Sequence, residues 1–170
     1  MNKLLLQTSF LTLFLVSFNN CKEEVFKQDI ISIIGVENIE IRNSKSLTDI
    51  AGFGKGISLE IYELDKGSIL KFQNKNSKVL LEKNIDKSWK KSDWKKPPLD
   101  NFDQKIIICL NYLGGNEKLE FELNNLKKVL ENRDNYFAYY YKPFKEFPMG
   151  SQLFILDTFN SKLYCLDFSI

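Results

Sequence analysis

The chain has 170 residues, of which 24 are Lys or Arg, 22 are Asp or Glu and none is His. The missing histidine excludes His-based acid–base catalysis, Ser-His and Cys-His nucleophiles, and most transition-metal sites. A net charge of +2 gives no electrostatic ground for a nucleic-acid partner, and 44% hydrophobic residues suit a chain that buries a core.

Lys3 precedes an apolar run from Leu4 to Phe18, and Cys21 follows closely. As a helix the run would span about 22 Å, short of a hydrocarbon core of about 30 Å, so it reads as a processed segment and not as a span. No small-x-small cleavage pair follows it. The pattern resembles the signal peptide and lipobox of bacterial lipoproteins, whose cysteine is acylated after the preceding segment is removed. Phe18 and Asn20 stand where that family favours a leucine and a small residue. The resemblance covers residues 1–24 and implies a signal peptide over 1–20, lipid attachment at Cys21 and a tether over 21–28. It implies a membrane partner through the anchor, at the outer membrane or cell surface, with a periplasm-facing position as the alternative. Lys22, Glu23 and Glu24 resemble the export tag of surface lipoproteins. Two or three acyl chains hold a protein where one is marginal.

The mature chain, residues 29–170, is expected to form a single α+β domain. Residues 25–36 are dense in Ile and Phe, with a spacing that fits helix or strand. Residues 36–42 alternate and predict a half-buried strand. Residues 57–64 do so more cleanly, with Ile57, Leu59 and Ile61 on one side and Ser58 and Glu60 on the other. Between them, Gly52-Phe53-Gly54-Lys55-Gly56 reads as a turn, because it feeds a strand whereas a phosphate cradle feeds a helix N-terminus.

Residues 66–96 are lysine-rich and carry two tryptophans in the run from Trp89 to Pro98. Such a loop could contact phosphorylated headgroups or anionic glycans through Trp89, Lys90, Lys91, Trp94 and Lys95; the alternative is tryptophans plugging the core edge beside solvated lysines. Asp100, with Asp103 three residues on, predicts a capped helix. Phe102, Ile106, Cys109 and Leu113 would form its apolar face, ending at Gly114-Gly115. Asn116 predicts the cap of a second helix striped by Leu119, Leu123, Leu126 and Leu130, with Lys127 and Lys128 near its end. The two would make a helical hairpin.

Residues 136–142, 153–158 and 163–168 read as strands, the last two joined by a turn at Asn160-Ser161. The expected fold is therefore α+β: a mostly antiparallel sheet, a helical hairpin packed on it, and a C-terminal three-stranded meander.

Tyr139 and Tyr141 add to the candidate binding surface, since tyrosine couples contact area to a polar tip. Cys109 and Cys165 both lie in apolar runs; buried free thiols are the favoured reading and a disulfide the other. Glu60, Asp157 and Asp167 are the carboxylates that an enzyme would bring within about 5 to 9.5 Å of one another. No cofactor or metal is expected. The leading expectation is a membrane-anchored, non-catalytic binding protein of the cell envelope, of which an immunity-type protein is one version, with a protein or envelope component as partner and no nucleic acid. The alternative is a carboxylate-dependent envelope enzyme such as a glycan hydrolase.

Overall fold

The structure is a computed structural model that describes residues 29–51, 55–76, 78–80, 88–145 and 148–169. Residues 29–34 are helical (α1) and stop at Gly35, whose φ of +65° is the left-handed conformation that glycine adopts without penalty. Two long strands follow, β1 (Ile41–Ala51) and β2 (Lys55–Leu64). Asp65 then caps helix α2 (Lys66–Gln73), its carboxylate accepting from Ser68 N at 2.9 Å. A two-residue strand, β3 (Lys90–Lys91), lies in the tryptophan-bearing loop.

Helix α3 (Asn101–Ile107) begins at the expected capping box. Asp100 accepts from Phe102 N and Asp103 N, while Asp103 accepts from Asp100 N. It tightens into a 3₁₀ turn at Ile108–Asn111. Asn116 caps α4 (Glu117–Val129), which buries Leu119, Leu123 and Leu126. Strands β4 (Tyr136–Lys142), β5 (Gly150–Asp157) and β6 (Lys162–Ser169) complete the chain as an antiparallel meander.

The six strands among the described residues form one sheet in the order β1-β2-β6-β5-β4-β3, antiparallel throughout. The register fixes its two faces, since directly paired residues point the same way. Tyr62, Leu163, Leu156 and Tyr136 form a cross-strand row on the first face. They pack with Ile30 and Ile34 of α1, Ile69 and Phe72 of α2, and Trp94. Leu59, Leu166, Leu153 and Tyr139 form a row on the second face. They pack with Ile106, Cys109 and Leu110 and with the leucine stripe of α4. The sheet thus carries helices on both sides, which is why β4 is aromatic in both directions. The fold is α+β, as expected.

Three local expectations are corrected. Of the strand expected over 36–42, only Ile41 and Arg42 are extended: Val36 and Ile39 are buried, but Asn38 at φ +56° breaks the run, and β1 starts at Ile41. The helix expected to reach Leu113 ends at Ile107 and its 3₁₀ turn at Asn111, leaving Leu113 82% exposed. The lysine-rich stretch contains α2, where only a loop was expected. The glycine turn at residues 52–54 lies outside the described residues, although β1 and β2 on either side of it are paired as a hairpin.

The two sheet edges differ. β3 is a two-residue strand, whereas β1 presents an eleven-residue edge. Bonded pairs alternate along and across an antiparallel sheet. Tyr139 O accepts from Ser92 N and Phe137 O from Lys95 N, so the odd residues of β4 bond outward. Following the register back to β1 puts the main-chain groups of Ser44, Ser46, Thr48 and Ile50 on the outer edge. Side-chain amides occupy two of these groups: Ser44 N donates to Asn43 Oδ1 at 2.9 Å, and Asn116 Nδ2 donates to Thr48 O at 3.2 Å.

Candidate functional site

The tryptophan-bearing loop divides into an inward half and an outward half. Trp94 is 6% exposed, stands edge-on to Phe72 with ring centroids 5.2 Å apart, and donates its indole N–H to Ile33 O at 3.0 Å. It belongs to the core and is withdrawn from the binding surface. Tyr139 is withdrawn for the same reason: it is 3% exposed and donates its hydroxyl to Asp103 Oδ1 at 2.8 Å. Burial and that acidic partner hold the Tyr139 hydroxyl well above the usual tyrosine range. Lys95 pairs with Asp103 and with Asp100, and its ammonium lies 5.4 Å from the Phe137 and Tyr139 ring centroids. It ties the loop to α3 and is not offered to a partner.

What stays outside gathers around the end of β4. Lys90 pairs with Tyr141 in the register and is exposed. Tyr141 is half-buried, with its ring 5.0 Å from that of Phe102. Phe102 is 41% exposed, because the short α3 turns it toward the sheet end and not into the core. Beyond Lys142, Phe144 is 51% exposed with the Lys145 ammonium 5.4 Å from its ring centroid. Met149, which bonds back to Lys142 O, is 44% exposed. Trp89 is half-buried against the first-face core and reaches the backbone at Gly150. Lys91 is half-buried and donates to Leu80 O. The result is a basic, aromatic rim. Sequence pattern alone missed Phe144, Lys145 and Met149, because a strand end and its following turn carry no periodicity, and it put Phe102 on the apolar face of α3, where the ring is 41% exposed.

The three candidate carboxylates do not meet as a set, because the sheet puts Asp157 on one face and Glu60 and Asp167 on the other. Asp157 is 2% exposed on the second face, where it organises the β5–β6 turn by accepting from Phe159 N (3.2 Å), Asn160 N (3.1 Å) and Asn160 Nδ2 (2.7 Å). Glu60 and Asp167 lie on the first face as diagonal neighbours, one opposite Cys165 and the other opposite Ser58. Glu60 accepts from the Tyr62 hydroxyl, and Asp167 from Gln152 Nε2.

Cys109 and Cys165 are both free. Cys109 lies in the second-face core beside Ser151, while Cys165 packs against the first-face core, so the sheet separates them. Burial pushes the Cys109 thiol up to about 12. Burial, then the charge of Glu60, raises Cys165 as well. Neither thiol has the lowered pKa that makes a nucleophile. Cys21 lies outside the described residues. Among the described residues, no group of three His, Cys, Asp or Glu could hold a metal ion, and no helix is long and apolar enough to cross a membrane.

The chain matches no family model, no curated protein and no solved structure in the comparisons made.

Proposed function

We propose that this chain is a lipid-anchored protein of the bacterial cell envelope that acts by binding and not by catalysis. The observation that carries the reading is Cys21, placed directly behind a basic and apolar segment too short to span a bilayer. The spent carboxylates support the non-catalytic half. Asp157 is consumed by a turn, and Glu60 and Asp167 each already accept from a neighbouring side chain. The chain has no histidine, the side chain that most often serves as a general acid or base near neutral pH.

The test is fractionation of cells expressing the full chain and its Cys21→Ser variant, with labelled palmitate. The reading expects label and membrane association in the first and neither in the second; label independent of Cys21 would sink it. Crosslinking from intact cells, comparing the same pair, identifies the partner. In the immunity-type version that partner is a secreted toxin, and deleting the gene abolishes protection against it.

A further inference from the structure

We infer that the rim around the end of β4 docks on the anionic headgroup surface of the bilayer, so that the folded domain lies against the membrane and does not float above it. The inference rests on the lipid-anchor reading and adds an orientation to it.

Three observations carry it. The first is charge. Lys90 and Lys145 are exposed at this rim, with Lys91 next to Lys90 and Lys142 three residues before Lys145; of the described carboxylates nearby, Asp103 is buried and paired to Lys95, Asp100 pairs with the same lysine, and Asp93 accepts from Leu80 N. Lysines near an anionic leaflet are attracted over about a Debye length. The second is side-chain type. Phe102, Phe144 and Met149 are exposed between those lysines, the mixture of apolar body and cationic tip that suits the headgroup layer.

The third is reach. Ile30 and Ile34 of α1 pack in one cluster with Tyr62 and Cys165, which places the start of the described chain over the first face. From Cys165 the rim is four residues along β5 and two strands across, roughly 16 Å by strand geometry. Seven residues, 22–28, lie between Cys21 and Asp29, so eight steps of the chain reach at most about 27 Å. An acyl chain on Cys21 can therefore enter the bilayer while the rim touches its surface.

The experiment uses the full acylated chain, reconstituted into vesicles of phosphatidylcholine alone or with phosphatidylglycerol. Exposed amines are acetylated briefly and read by mass spectrometry, with Lys66 and Lys118, exposed elsewhere, as internal controls. Labelling of Lys90 and Lys145 is expected to fall about threefold or more in the anionic vesicles and to recover in high salt. A Lys90→Glu/Lys145→Glu chain should partition to anionic vesicles at least about tenfold less well when Cys21→Ser removes the anchor from both chains. The neutral Gln pair should fall between, with an unchanged melting temperature.

Equal labelling in both vesicle types overturns the docking. Protection that appears without vesicles as protein concentration rises overturns it in favour of a second copy, and protection that requires an added protein overturns it in favour of that protein. The mass of the Cys21 peptide is read in the same samples. An unmodified Cys21 removes the anchor reading alone, because partitioning of the Cys21→Ser chain still decides the rim.

Discussion

Lys95 closes on Asp103, a carboxylate that is 1% exposed and that also accepts from the Tyr139 hydroxyl and from Asp100 N. One buried group therefore joins the tryptophan loop, the first turn of α3 and the centre of β4. Replacing Lys95 by Met leaves that charge without its counter-ion. The expected loss is about 2 kcal/mol, less than for a fully buried pair because Lys95 is a third exposed. Asp103→Ala removes the acceptor of all three bonds and should cost more. Urea denaturation of both variants measures the order; a neutral Asp103→Ala would contradict it.

The two tryptophans should separate cleanly. Trp94→Ala empties a core position and leaves the Ile33 carbonyl without its donor, with an expected loss of about 3–5 kcal/mol. Trp89→Ala removes a half-buried ring and should cost about 1 kcal/mol or less. Thermal unfolding distinguishes them, and similar losses would refute the division of this loop into an inward and an outward half.

Asn116 has two duties that chemistry can split. Its oxygen caps α4 by accepting from Leu119 N, and its nitrogen bonds the free edge at Thr48 O. Asn116→Asp keeps the cap and loses the edge bond, while Asn116→Ala loses both. Stability should fall by about 1 kcal/mol for Ala and by less for Asp. Faster hydrogen exchange near Thr48 is expected in both, and unchanged exchange there would show that the edge bond contributes nothing.

Stability should decline on the alkaline side. Cys109 and Tyr164 are each pushed up to about 12, chiefly by burial, and Cys165, Tyr62 and Tyr139 are raised as well. Raised values mean that the folded chain holds protons which the unfolded chain releases between about pH 8.5 and 10. The contribution is complete below pH 8 and shrinks as pH rises toward 12. Urea midpoints at pH 7, 9 and 10.5 should fall in that order, and a flat series would show these groups reached by solvent.

How much of this was readable in the sequence depended on burial. The meander and α4 were plain because their apolar residues repeat with the right period and their caps are explicit, as at Asn116. β1 was hidden because it is a polar edge: Ser44, Ser46 and Thr48 are all exposed, so no alternation marks it. α2 was hidden because eight residues opening on Lys66-Gly67-Ser68 look like a loop until Asp65 is seen to cap them. In the candidate site, spacing alone could not tell Trp89 from Trp94. Their difference arises from Phe72 and Ile33, contacts made far away in the chain.

The separation of Cys109 and Cys165 by the full thickness of the sheet has a consequence for handling the protein. Folding requires no bond between them, because both thiols are free and lie on opposite faces of the sheet. A chain carrying an internal Cys109–Cys165 bridge must have acquired it while unfolded, and cannot regain the sheet until the bridge is reduced. Its abundance, read on a non-reducing gel, would record how often the chain failed to fold before oxidation caught it.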